Sequence, residues 1–432
     1  MRWIDKHLGE GVLSNATTLY GAYAVNYIVP LFAVPYLVRT LGPDSWGLVA
    51  VSQGLGNYLG LIVEYGFNLS ATREVARLRQ SPAHLSNVVA GVLGAKVLLA
   101  SLALVVAWLL QRVLPGLREH SWILWAGVAA GITVGLSPLW YFQGCEQMKV
   151  VASLEVGAKV SAAAAVFVCV HSPADAWRVP GLQAVASLLS TGTGIILMCR
   201  QVVLRRFSVS LVKNALRNGW TLFLFKSSVM LYTAGNSFLL GLFAPPVSVG
   251  YFAGAEKISK AFMGLLNPFN QAVYPRLSRL AKHDPQAGVR LLRVNAIVAT
   301  GGGLFLGALV FWLSPWLVTF LLGRAFSEAI PVLRLLSLLP PLIALNTVLS
   351  TQCMAPLGMD RLLNRIALAA GAVNVGFACL LAPHYRQIGM AIAVVIAELF
   401  ISVTASYILL RQRATDVLSA TPGVTLLGME AE

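Results

Sequence analysis

Residues 246–263 read Pro246-Val-Ser-Val-Gly250-Tyr-Phe-Ala-Gly-Ala-Glu256-Lys257-Ile-Ser-Lys260-Ala-Phe-Met263. The run is apolar enough to sit in a membrane-crossing helix, yet two lysines and a glutamate lie near its middle. A charge near the centre of a bilayer costs about 2.5 kcal/mol or more, so it turns toward a bundle interior, a water-filled cavity or a partner. A lone helix offers none of these, and a bundle offers all three. Lys96, Lys159, Lys226 and Arg334 also fall inside apolar stretches, which makes six intramembrane cations with Lys257 and Lys260. Such a set implies an inward-facing basic surface, and hence an anionic cargo.

Composition supports the membrane reading. Of 432 residues, 57% are hydrophobic and only 11% charged, where a soluble domain carries roughly 25% charged residues. The net charge of +15 does not indicate nucleic acid, because the basic residues form short clusters between apolar runs rather than a continuous face. Five scattered cysteines without a C-x-x-C argue against a disulfide framework, and the six histidines show no metal-ligand spacing. The first apolar run, about 12–38, is too long for a cleavable signal and is expected to remain as a helix.

A span needs about 20 apolar residues. Twelve segments qualify, at 12–38, 47–66, 87–110, 122–143, 151–171, 180–200, 219–242, 247–270, 294–314, 330–351, 364–383 and 387–410. The expected fold is therefore an all-α membrane protein with about twelve transmembrane helices. With the N-terminus inside, cytoplasmic segments hold 20 Lys and Arg against 6 on the other side. The positive-inside rule thus puts both termini in the cytoplasm. Trp46, Trp108, Trp122, Trp125, Trp177, Trp312 and Trp316 then mark the outer boundary as an interfacial belt.

The basic stretch 201–218 divides the chain into an N-terminal lobe (1–200, six spans) and a C-terminal lobe (219–410, six spans), followed by a cytoplasmic tail (411–432). A faint repeat relates the two. Pro43-x-Ser45-x-Gly47-x-x-Ala50 recurs as Pro246-x-Ser248-x-Gly250-x-x-Ala253, and Arg73 and Arg79 match Arg276 and Lys282 at the same offset of 203. Two parallel six-helix halves related by an axis along the membrane normal are a common transporter plan. Pro30, Pro35, Pro138 and Pro340-Pro341 mark kinks. Gly127, Gly131, Gly135, Gly303 and Gly307 read as close helix packing.

No G-x-x-x-x-G-K-[ST] loop is present, so no nucleotide engine is visible. Lys96, Lys159 and Lys226 lie on the order of 10–15 Å in from the cytoplasmic ends of their spans; they either snorkel to that interface or line a cavity. Lys257 and Lys260 are deeper, and Glu256 alone cannot neutralise both. Arg334 sits at the outer end of span 10. Three acids are embedded, Glu64, Glu256 and Glu398, and each is a candidate for carrying a coupling H+ or Na+ or for pairing with a buried lysine. Asn26, Gln53, Asn57, Asn236, Asn346 and Asn374 are polar groups that contact cargo hydroxyls or hold helices together. No cofactor is called for.

Several stretches resemble a known family. Gly47-Leu-Val-Ala50, and Glu64-Tyr-Gly-Phe-Asn-Leu-Ser-Ala-Thr-Arg73-Glu74, are similar to the second-span signature of the polysaccharide-lipid flippases of the Wzx type. Trp140-Tyr-Phe-Gln-Gly144, Gly250 to Ile258, and Tyr274-Pro-Arg-Leu277 are similar to that family too. Gly389-Met-Ala-Ile-Ala393, leading to Glu398, resembles the last span of the wider superfamily of multidrug extruders and the lipid II flippase. The resemblance implies a two-lobed, MATE-like inner-membrane transporter working by alternating access. Its cargo would be an undecaprenyl-diphosphate-linked oligosaccharide, moved outward for O-antigen or exopolysaccharide assembly beside a polysaccharide polymerase and chain-length regulator. On that reading Lys226, Lys257 and Lys260 hold the diphosphate, Lys96 and Lys159 assist its entry, and Asn26 and Asn57 line the cavity. A multidrug/H+ or Na+ antiporter would want an acidic cavity, against six cations and three acids. A membrane polymerase would want a large outer loop with paired acids, where the outer loops here are short.

Overall fold

A computed structural model describes the backbone of residues 10–113, 118–202, 208–264, 277 and 285–419, and the side chains of 29–113, 118–202, 208–264, 277, 287 and 290–411. These residues are helical almost throughout, with no strand among them. In chain order the helices are α1 (Glu10–Glu64), α2 (Phe67–Leu78), α3 (Pro82–Val113), α4 (Ser121–Leu136), α5 (Leu139–Gly144), α6 (Met148–Cys169), α7 (Arg178–Gln201), α8 (Val209–Thr233), α9 (Asn236–Gly241), α10 (Pro246–Gly264), α11 (Pro285–Leu317), α12 (Ala329–Leu336), α13 (Leu339–Asn346) and α14 (Asp360–Ser419). A π-helical segment, Thr347–Met354, continues α13. All twelve apolar segments fall on these helices, apart from residues 265–270 of the eighth, which lie outside the described residues.

Two helices each carry two spans. α1 turns at Gly42, whose φ of 73° suits a residue without Cβ, and α14 turns at Arg386 (φ 47°). Other spans are broken where proline removes a donor: α4 gives way to α5 at Pro138, and α13 starts at Pro340-Pro341. Pro30 and Pro35 stay within α1. Among the described residues, eight helical segments are long and apolar enough to cross a membrane by length and composition. α8 and α10 are not among them, and these are the helices bearing Lys226, Lys257 and Lys260.

The first six spans pack mainly on one another, as do the last six. Two seams join the halves, α1 against α10 and α9, and α8 against α3, α2 and the end of α1. Of the stretch read as a linker, residues 209–218 are the first turns of α8 and pack on α3, with Gly91 against Leu211; residues 203–207 lie outside the described residues, as do 420–432 of the tail. The glycine ladder packs as read, with Gly127, Gly131 and Gly135 meeting Ser52, Gly56 and Gly60 of α1, and Gly303 and Gly307 meeting Pro340 and Ser337. Close backbone approach of this kind drives helix association where lipid supplies no hydrophobic force.

The tryptophan belt needs one correction. Trp108, Trp122, Trp177, Trp312 and Trp316 are exposed, as an interfacial belt requires, but Trp46 is 2% exposed and packs in the core between the halves. Its place at the α1–α10 seam, beside Gly47, overrides the tendency of tryptophan to sit at a membrane boundary.

Candidate functional site

The repeated motif is where the two halves touch. A Cβ on Gly47 would overlap the carbonyl of Pro246, and a Cβ on Gly250 would overlap the carbonyl of Pro43. The contact is reciprocal, as a pseudo-two-fold axis between α1 and α10 demands. Below this point Gly54 rests on Phe238 and Gly241 on Val51, while the Arg39 guanidinium donates to the Phe320 carbonyl. These contacts close the bundle at its Gly42 end.

A second seam closes the Glu64 end. Lys226 Nζ of α8 donates to both carboxylate oxygens of Glu64 on α1, each at 2.9 Å. Glu64 also accepts the Asn68 backbone N–H at 3.0 Å, which ties the pair to the start of α2. Gly66 (φ 75°) turns the chain there and lies against Leu222 and Phe223, and Gly219 lies against Tyr65. Tyr65 stacks on Phe223 with ring centroids 4.6 Å apart, and Trp220 flanks both rings. Asn218 donates to Glu74 at 2.5 Å. The signature Glu64-Tyr65-Gly66 is therefore half of an inter-half latch. Its other half, Trp220 and Phe223, was not singled out from sequence, although the aromatic residues around Lys226 were the available signal.

Between the two seams stands Lys257 of α10. Lys257 sits seven residues beyond Gly250, hence on the same helix face and about 10 Å further in. It is exposed, yet protein crowds it on nearly every side. It makes no hydrogen bond or ion pair with any described residue. Its neighbours on α10 are already matched: Lys260 Nζ pairs with Glu256 at 3.0 Å and donates to the Thr233 carbonyl at 2.9 Å, at the negative end of α8. The charge count made from sequence thus resolves in favour of Lys260 as the partner of Glu256. Asn57, on the facing helix α1, is likewise exposed between the seams.

The remaining candidates are placed differently. Lys96 is fully buried, and both its hydrogen bonds, at 2.7 Å, go to the carbonyls of Gly135 and Ser137. Those carbonyls belong to the C-terminal end of α4, where Pro138 interrupts the ladder; Lys96 caps that break and is near enough to feel both charges of the Glu64–Lys226 pair. In this conformation it faces no open space. Lys96→Ala would leave one buried and one partly buried carbonyl without this donor, at about 1–3 kcal/mol for the buried one. The expected result is a clear drop in thermal midpoint in detergent, without a change in cargo selection.

Lys159 is exposed and stands one turn beyond Glu155 on α6. It continues the stripe Ala152, Glu155, Lys159, Ala162, Val166, whose ends are buried, so it lies on the face turned into the bundle. Arg334 reaches Ser314 at 3.2 Å and lies over the Phe311 ring, on α12. Asn26 lies outside the residues whose side chains are described. Glu398 is 8% exposed, and Asn346 Nδ2 donates to it at 2.5 Å.

Comparisons with known proteins agree with this architecture. Residues 12–281 match the family model described as polysaccharide biosynthesis protein. A protein of Escherichia coli (strain K12) named as an O-antigen transporter is 30% identical over 385 residues, covering 87% of this chain and 91% of the relative. A protein of the same name from Shigella dysenteriae is 30% identical over 392 residues, covering 90% and 97%. Among solved structures, the lipid II flippase MurJ in an inward closed conformation superposes with a TM-score of 0.74 at 13% identity, covering 92% of this chain and 87% of that one. An outward-facing multidrug-resistance MATE family transporter gives 0.52 at 15% identity, with 94% and 96% covered. These two show the fold alone. Matched over well over half its length by one family model, and at 30% identity by relatives it nearly spans, the chain belongs to the polysaccharide biosynthesis protein family, whose members are multi-pass membrane transporters rather than enzymes.

Proposed function

We propose that this protein is a flippase that carries an undecaprenyl-diphosphate-linked oligosaccharide from the cytoplasmic to the periplasmic leaflet of the inner membrane. The observation that carries the reading is Lys257, an ammonium without a partner among the described residues, placed between the two seams that join the halves. A fixed cation in a low-dielectric space attracts a diphosphate and repels a cationic drug. The names of the relatives point to the same cargo class.

The basic-residue count supports placing the Glu64 end at the cytoplasm and the Gly42 end at the periplasm, with both termini inside. The exposed tryptophans near the Gly42 end fit that orientation. Alternating access then amounts to opening the latch at one end and the glycine seam at the other, by rocking the N-terminal lobe (1–200) against the C-terminal lobe (219–410). Lys226 is neutralised by Glu64 while the latch is shut, and becomes available to the phosphates when it opens. Lys260 and Asn57 stand on the same walls.

Lys257→Ala is expected to reduce surface glycan at least tenfold in a flippase-null strain that the wild-type gene complements, at equal membrane abundance. Lys257→Arg, which keeps the charge, retains most of it. Wild-type export by Lys257→Ala would remove the diphosphate-binding role. Failure of the wild-type gene to complement any of a panel of flippase-null strains with different glycans would remove the cargo class itself.

A further inference from the structure

Of the three embedded acids, two have cationic partners: Glu64 holds Lys226, and Glu256 holds Lys260. Glu398 has none among the described residues. Its carboxylate receives Asn346 Nδ2 at 2.5 Å, and Ser402 Oγ donates to Asn346 Oδ1 at 2.5 Å. The amide's orientation is fixed by chemistry, because Asn346 Nδ2 also reaches the main-chain carbonyl of Glu398 at 3.2 Å and that oxygen can only accept. The side chain bonded to the carboxylate therefore presents a donor, and it offers no oxygen to a metal ion. The backbone beyond Asn346 continues as the π-helical segment Thr347–Met354, an irregularity that recurs at functional sites.

An ionised carboxylate buried in a span without a cation is costly; the one N–H from Asn346 offsets only part of that cost, and a proton removes the charge where the amide presents no oxygen to sodium. We propose that Glu398 binds and releases a proton during the transport cycle, and that α8 links its charge to the inter-half latch. α8 packs along α14. The titratable group on α8 that faces Glu398 is Tyr232, and the same helix carries Lys226, Phe223 and Trp220 at the latch. From α13 the facing group is Asn346, which does not titrate, and on α14 itself it is Ser402. With Glu398 ionised, the C-terminal half holds a buried charge beside α8. With it protonated that charge is gone, and the preferred packing of α8 changes with it. The inference rests on the transporter reading for the cycle it couples to, but its test uses no cargo.

Spin labels at Arg77 on α2 and Lys213 on α8, both exposed, report opening of the latch in full-length protein whose native cysteines are replaced by serine. In nanodiscs, over a pH series at constant sodium, the wild type is expected to exchange between a short and a long distance. Glu398→Gln is expected to show one distance at every pH. Glu398→Asp retains the transition at a displaced midpoint, and decides the matter should the glutamine variant fail to fold. A wild-type midpoint in either variant overturns the proposal. So does a wild type that ignores pH, whether or not it responds to sodium at fixed pH. Loss of glycan export in Lys257→Ala with an intact pH response separates the cargo reading from this one.

Discussion

Gly250→Leu is expected to abolish glycan export while leaving the protein inserted and monodisperse. At this position even a methyl group would overlap the Pro43 carbonyl, and a backbone carbonyl cannot rotate away as a side chain end can. Overpacking costs about 1–3 kcal/mol and sometimes more. The seam is not the core of one half but the surface where two halves meet, so the strain is relieved by parting them. Each ~1.4 kcal/mol shifts the balance tenfold, and the Gly42 end should then stand open in nearly all molecules. Gly47→Leu should behave alike, because the contact is reciprocal. Gly157→Leu is the control, since a side chain there meets nothing within 4 Å. The measurement is labelling of Asn57→Cys by an impermeant maleimide from the periplasmic side. Strong labelling in the Gly250→Leu background, and weak labelling without it, is the expected pattern. Equal labelling in the two would show that the seam does not gate this end.

Breaking the opposite latch should have the opposite sense. Glu64→Gln leaves the Lys226 ammonium at the seam without its counter-charge. Removing one partner of a fully buried pair costs about 3–5 kcal/mol; here the side chains are 29% and 12% exposed, so solvent screening reduces the penalty to roughly 1–3 kcal/mol. The Glu64 end should open, lengthening the Arg77–Lys213 label distance, and export should fall about tenfold. Lys226→Glu should be more severe, because two carboxylates then face each other and one cation for the cargo is lost. The exchange Glu64→Lys with Lys226→Glu should restore the short distance but not export. It rebuilds the pair, yet it removes the carboxylate that caps Asn68 and moves the cation to the other half. A swap that fails to shorten the distance would mean that the aromatic stack of Tyr65, Trp220 and Phe223, and not the ion pair, holds the latch.

The latch and the seam also show why some features were legible in the chain and others were not. The spans were readable because a bilayer imposes length and apolarity on every crossing segment, independently of what packs against it. The repeat at offset 203 was readable as a pattern, but its weak identity concealed its importance. Only in three dimensions do Gly47 and Gly250 become each other's partners. The aromatic half of the latch was missed because Trp220 and Phe223 look like ordinary lipid-facing residues in a span. Trp46 was misplaced for the mirror-image reason: a tryptophan near a span end fits the boundary unless a neighbouring helix covers it.

The embedded charges divide along the same line. Sequence alone established that six cations and three acids lie within apolar spans, because hydropathy and the cost of a bare charge in lipid are local properties. It therefore determined the class of protein and the number of apolar segments, and it set the expectation of a basic interior. Pairing is not local. Lys226 meets Glu64 across 162 residues of chain, and Lys96 finds carbonyls 39 and 41 residues away. The tertiary structure decided which lysine caps a broken helix, which closes a latch and which stands between the seams unmatched among the described residues. Position along a span sets how deep a charge lies; the neighbouring helices set whether it is already satisfied, and of Lys226, Lys257 and Lys260 only Lys257 has no partner among the described residues.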